Sequence, residues 1–400
     1  MVRGGFGIFT MTNLGQLSFN TTNIDVAVVR TTPNSILNGL PAFQFPNVRT
    51  PDDPLTIAGT GDFYQNVPTD YRDPQSAQWN LTVERELVRD LTLRVSYVGT
   101  NSYRMSQTVD LNQVQPSTSP YDPNLRPYLN WGRILSSENQ GSVNYQGLQT
   151  ELNQRFRGGL SFQASHVWAK SLGNVGGDAP AAFTPEVIYG TPVADRFNLA
   201  ANRGNIAAVR RNRVLVSAIY ELPVGRGRRF LPQMGSFGEA ILGGWSLSTI
   251  SMWQTGPYLT PTISPSLDPA NLNLVYRGAS LRPDCIGDGN LANPTPDHYF
   301  DINAFAPPPA NSGRLGNCGV GTLVGPGTVA IAGGFSKTFA FGERVRLRVE
   351  STFTNLPNHS NFAPPAVNVS SPATFGKTTS VQSAENSGNR TGQVALRIEF

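Results

Sequence analysis

The strongest pattern lies between residues 326 and 357. Val345, Leu347, Val349, Ser351 and Phe353 fall on one parity. Arg344, Arg346, Arg348, Glu350 and Thr352 fall on the other. A period of two over ten residues predicts a strand with one apolar and one wet face. Val329, Ile331, Phe335, Phe339 and Phe341 share a parity just upstream, across a predicted tight turn at Phe341-Gly342-Glu343. Such a hairpin is longer than the five or six residues usual for a strand in a soluble sheet. An apolar band backed by a row of charges suits a wall between lipid and a watery lumen.

Three more hairpins obey the same rule. Residues 75–88 place Ala77, Trp79, Leu81 and Val83 opposite Gln78, Asn80, Thr82, Glu84 and Glu86. After the turn Arg89-Asp90, Leu91, Leu93, Val95 and Tyr97 alternate with Thr92, Arg94 and Ser96. Leu148, Leu152 and Phe156 face one way and Gln149, Glu151, Asn153 and Arg155 the other. Arg157-Gly158-Gly159 supplies the glycines of a tight hairpin, and Leu160, Phe162, Ala164 and Trp168 follow it. The fourth pairs 211–222 with 244–255 through a longer connection containing Gly225-Arg226-Gly227-Arg228-Arg229. Val2–Met11 and Thr391–Phe400 complete ten expected strands. The segments 12–75, 102–144, 171–210, 256–325 and 358–390 read as loops, with a short strand expected around Ile24–Val29. Up-and-down order puts every long loop at one end and every short connection at the other. Outer-membrane barrels show this asymmetry, whereas a β-sandwich has no reason for it. The reading is all-β: an antiparallel transmembrane β-barrel, partial, of about ten long strands. Trp79, Trp168, Tyr220, Trp245 and Trp253 suit interfacial girdles, with ordinary core packing as the competing reading of each.

Composition agrees. The 400 residues include 40 Gly and 31 Pro, which disfavour helices, and charged residues are only 14%. No run reaches 18 apolar residues, so no membrane-spanning helix is expected, a test that strands escape. The net charge of +4 is scattered, which argues against a nucleic-acid partner. Cys285 and Cys318 share one Gly/Pro/Asn-rich segment. A loop disulfide is the first reading and two free thiols the alternative. The opening MVRGGFGIFTMTN lacks a signal peptide's apolar core and cleavage site and reads as a strand already under way. The expectation is a chain that is not exported as it stands or whose beginning is missing.

Candidate chemistry is thin, and no enzyme is expected. His166, His298 and His359 lie in separate segments without metal-ligand spacing. Motifs for nucleophilic serine, zinc-dependent or nucleotide-dependent catalysis are missing. Asp284 and Asp288 in DCIGDGN resemble a calcium loop faintly but lack its full set of oxygen ligands. Gly225–Arg229 reads as a solvated turn, with phosphate binding as the rival. No cofactor is implied.

Three stretches carry a family likeness: DINAFAPPPANSGRLGNCGVGTLVGPGTVAIAGGFSKTF (301–339), ERVRLRVESTFTNLPNHSNFAPP (343–365) and FGKTTS (375–380). With the hairpins at 75–105 and 212–260 and the terminal RIEF, the chain resembles the C-terminal barrel of Oar-like TonB-dependent receptors of the Acidobacteria type. It departs in reading ESTFTN where the family has EAFN, and in lacking an Asp before the Lys337-Thr338-Phe339 step. The resemblance implies an outer-membrane uptake receptor for an unidentified ligand, with 1–400 forming part of its barrel. It also implies a plug domain and a TonB-contacting segment, neither of which is visible in the sequence, so TonB would act only through a plug outside this chain. Barrels of that class have about 22 strands, and ten are expected here. Under this reading Arg344, Arg346, Arg348, Glu350, Arg397 and Glu399 line the lumen. Phe400 is the signal read by the barrel-assembly machinery, outer-membrane lipid is the surrounding partner, and ligand is taken at the long loops. A passive pore or structural barrel, and a secreted β-rich adhesin, are the alternatives.

Overall fold

A computed structural model describes residues 1–10, 36–37, 40–41, 63–175, 193–277, 280–341, 345–382 and 387–400. Ten long strands form one sheet. They are β1 (Val2–Thr10), β2 (Gln75–Val88), β3 (Leu91–Asp110), β4 (Ile134–Arg157), β5 (Leu160–Gly173), β6 (Asn212–Glu221), β7 (Trp245–Gln254), β8 (Thr328–Phe341), β9 (Val345–Thr354) and β10 (Thr391–Glu399). They lie in chain order, each antiparallel to the next, and the sheet is open, with β1 and β10 at its edges. The expected all-β meander is therefore observed. The expected strand at Ile24–Val29, Gly342 and Glu343 of the tight turn, and Arg344 lie outside the described residues.

The registers carry the alternation from strand to strand, because directly paired residues share a face. Phe6 pairs with Trp79, Leu81 with Tyr97, and Leu93 with Leu152. Val214 pairs with Trp253, Leu247 with Phe335, and Val349 with Leu396. The result is one continuous apolar face, and all five girdle aromatics lie on it. Leu81, Ile398, Leu396 and Val394 there are exposed, so none of the described residues covers this face at those positions. Trp79 lies flat across β3 at Gly99, where a Cβ would come within 2.2 Å of the indole. Gly158 and Gly159 have φ of 61° and 88°, as the tight turn requires.

One expectation is corrected. Residues 102–144 are not a single loop, because β3 runs on to Asp110 and β4 begins at Ile134. Arg104 adopts a left-handed φ of 57°, and the pairing shifts between Tyr103 and Gln107. β4 supplies a compensating residue between Glu138 and Gly141, so from Gln107 on the offset of Tyr103 is restored and the ladder continues past a local interruption of the alternation.

Three of the long connections are packed where they are described. The described residues of 111–133, 255–327 and 355–390 gather at one end of the sheet around an apolar core. Leu272, Leu274, Leu281, Phe300 and Leu323 are almost fully buried there with Val114 and Phe375. Phe305 and Phe375 meet edge to face at 5.7 Å. Cys285 and Cys318 are joined by a disulfide, with Cα atoms 4.8 Å apart. The sheet thus carries a folded cap built from three connections, and Ala194, from the connection after β5, packs against it.

Candidate functional site: the concave polar face and its cap

The face opposite the apolar one is concave. A single cleft of about 720 Å³ is lined from β4 to β10, which requires the sheet to curl around it. Its polar lining is neutral: Asn153, Gln163, Ser217, Ser248, Thr352 and Gln393. Hydroxyls and amides hold water without fixing a counter-ion. Ile219 and Ile250 interrupt this surface and stand exposed in it.

A smaller cleft of about 460 Å³ lies over β1–β4 and is charged. Arg3 Nη2 donates to Glu84 Oε2 at 2.8 Å, and Arg94 Nε donates to the same oxygen at 3.1 Å. Arg94 Nη1 donates to Glu151 Oε2 at 3.1 Å, and Gln163 Nε2 donates to Glu151 Oε1 at 3.0 Å. One ladder thus crosses five strands. Its members follow from register, since Glu84 pairs with Arg94 and Arg94 with Glu151. Solvent screens these pairs and leaves each with little net stabilisation, so the ladder chiefly fixes register and the charge of the wall. Alternation had put Glu84, Arg94 and Glu151 on polar faces, but only the pairing makes them one network. Both carboxylates are held between cationic or amide donors, an arrangement suited to structure rather than proton transfer.

The charged row expected on the last strands shares this face. Arg346 pairs with Glu399, Arg348 with Arg397, and Glu350 with Ala395. Arg348 forms an ion pair with Glu350 on its own strand. The side chain of Glu399 and the whole of Arg344 lie outside the described residues. Phe400 is fully exposed beyond β10.

In the cap, Asp284 does not present free oxygens. Arg314 donates to both of them at 2.7 Å, and the Asn317 N–H donates at 3.0 Å. The Arg314 hydrogen bonds chiefly hold the Asp284 carboxyl below the usual carboxylate range. Asp288 accepts from the Asn290 backbone and side chain, which lower its pKa as well. The faint calcium-loop pattern is therefore a pair of internal clamps. His166 meets Asn212 Oδ1 at 3.1 Å, and Asn355 Oδ1 accepts from the His359 N–H. Among the described residues no group of three or more His, Cys, Asp or Glu could hold a metal ion.

A family model described as outer membrane beta barrel domain matches residues 1–393. No curated protein matches the sequence significantly. Similar solved structures include the outer membrane transporter YddB from Escherichia coli, at 9% identity and a TM-score of 0.42, covering 86% of this chain and 34% of that one. The siderophore receptor PiuA from Acinetobacter baumannii is similar at 9% identity and a TM-score of 0.37, covering 82% of this chain and 29% of that one. The chain spans about a third of the length of each.

Proposed function

Because the chain belongs to the outer membrane β-barrel domain family, we propose that it forms part of the wall of an energy-coupled uptake receptor. It resides in the outer membrane. The apolar face contacts lipid, and the concave polar face lines the lumen. There the ladder from Arg3 to Gln163 and the row Arg344, Arg346, Arg348, Glu350, Arg397 and Glu399 meet water or a plug domain outside this chain. Coupling to TonB runs through that plug. Phe400 is the signal for the barrel-assembly machinery. The cap captures ligand, as its packed connections stand at one mouth of the lumen.

The observation that carries this reading is the sorting of the molecule. One face is apolar and largely uncovered by the described residues, the other is polar and concave, and the folded connections crowd one end. A passive wall needs the first two features and has no need of a disulfide-stapled cap. An adhesin needs the third and has no need of an uncovered apolar face. The test is to express the chain behind an export signal and run the envelopes on a gel with and without boiling. Recovery in the outer-membrane fraction is expected. A heat-modifiable band means that ten strands close by themselves and moves the reading toward a reduced pore. A band without a shift means that the wall is completed by further strands. A soluble product refutes the membrane wall.

A further inference from the structure

The connection 222–244, between β6 and β7, is the longest described crossing at the turn end. It contains the basic run read from sequence as a solvated turn. Its fold is more specific. The Phe230 N–H donates to Pro223 O at 2.9 Å and the Gly225 N–H to Phe230 O at 3.0 Å, closing a small loop. A short helix, α1 (Ser236–Leu242), follows. Arg226 ties loop to helix: its N–H donates to Glu239 Oε2 at 2.7 Å, its Nε to Met234 O at 2.8 Å, and its Nη2 to Ser236 Oγ at 2.8 Å.

The end of α1 is pinned to the apolar face of the sheet. Lys337 Nζ donates to the carbonyls of Gly243 at 2.6 Å and Ile241 at 3.1 Å. Trp245 Nε1 donates to Ile241 O at 2.9 Å. Lys337 pairs with Trp245 across β7 and β8 and lies 5.1 Å from the ring centroids of Trp245 and Phe339. Anchoring residues on the outward face place α1 outside the wall, at its rim.

The side chains that this foot leaves in the open are the wrong kind for water. Phe237 is 83% exposed, and Phe230, Leu231, Ile241 and Leu242 are each about half exposed. Beside them stand Arg228, paired with Glu221 at 3.1 Å, and Arg229, whose guanidinium stacks 5.5 Å from the Phe230 centroid. Arg229 reaches no carboxylate among the described residues. Large apolar side chains next to arginines, continuous with a lipid-facing band, match a segment lying in a bilayer interface.

We propose that 222–244 is an interfacial anchor for an anionic phospholipid surface. Phe237, Ile241 and Leu242 enter the acyl boundary at the turn-end rim, and Arg228 and Arg229 hold headgroup phosphates. This rests on the lipid-facing reading of the apolar face. The test uses the full chain, in which the disulfide leaves an introduced thiol as the only reactive one. Nitroxide is attached to Phe237→Cys, Leu396→Cys or Ser119→Cys in vesicles of phosphatidylethanolamine and phosphatidylglycerol. Collisions with oxygen and with a water-soluble nickel chelate then report depth. The expected result groups Phe237 with Leu396, favouring oxygen, and leaves Ser119 in water. If Leu396 is in lipid and Phe237 in water, the anchor is overturned while the wall stands. If all three are in water, both fall. Replacing Arg228 and Arg229 with Gln should lower the preference for spin-labelled phosphatidylglycerol over phosphatidylcholine by roughly fivefold for each arginine. An unchanged preference overturns the headgroup contact.

Discussion

Two neighbouring positions on β10 separate the faces of the wall most sharply. Nine residues rising about 3.3 Å each give a strand of about 30 Å. At a tilt of about 40° it spans about 23 Å, close to the roughly 25 Å apolar band of an outer-membrane barrel. The middle of Thr391–Glu399 is Ala395, so Leu396 lies about 3 Å from the bilayer midplane. Leu396 is exposed on the apolar face opposite Val349, whereas Ala395 is on the polar face opposite Glu350. Leu396→Arg therefore buries a cation in hydrocarbon and costs about 2–4 kcal/mol. That lowers the folding equilibrium constant roughly 30- to 900-fold. Ala395→Arg gains a directly opposed carboxylate, worth about 0.2–1 kcal/mol in a cross-strand pair, and should be neutral or slightly stabilising. Guanidinium titrations of both variants in vesicles measure the two effects. Equal losses, or a larger loss at Ala395, would refute the assignment of faces.

Two further expectations concern the cap. Converting Cys285 and Cys318 to Ser opens a loop with a sequence separation of 33. Chain-entropy arguments put the loss near 3.7 kcal/mol. Limited proteolysis should cut 285–318 in the variant while leaving the strands intact, and equal protease resistance would count against the bridge. The second expectation is a pH dependence. The folded-state pKa of Asp284 is depressed, first by Arg314. Its contribution is therefore complete above the unfolded value of about 3.9 and is lost as pH falls through the lower folded value. In Arg314→Gln this acid-dependent step in protease resistance should shrink, and an unaltered acid profile would show that the clamp does not stabilise the cap.

Much of the wall was legible because alternation is a local property. Val345, Leu347 and Val349 take one side and Arg346, Arg348 and Glu350 the other whatever β9 pairs with, since successive residues of a strand point to opposite faces. Turn chemistry was local too, as Gly158 and Gly159 show. The pattern failed where a bulge intervened. Around Arg104 β3 gains one residue on β4, and β4 gains one in return between Glu138 and Gly141, so the alternation is interrupted there although the register resumes. The cap was illegible for a different reason. Leu272, Leu281, Phe300, Leu323 and Phe375 follow no period, because irregular backbone sets each direction separately. Clusters of large apolar residues inside Gly/Pro-rich segments were the one available signal.

Sequence alone therefore determined the strands, their two faces and the sorting of long and short connections, all consequences of a two-residue repeat and its interruptions. Tertiary structure alone decided what register and packing bring together: the ladder from Arg3 to Gln163, the cap closed over Phe300, and α1 pinned beneath Lys337 on the outside of the wall. Those contacts join residues tens to hundreds of positions apart, and no local repeat encodes which strand lies beside which, or at what offset.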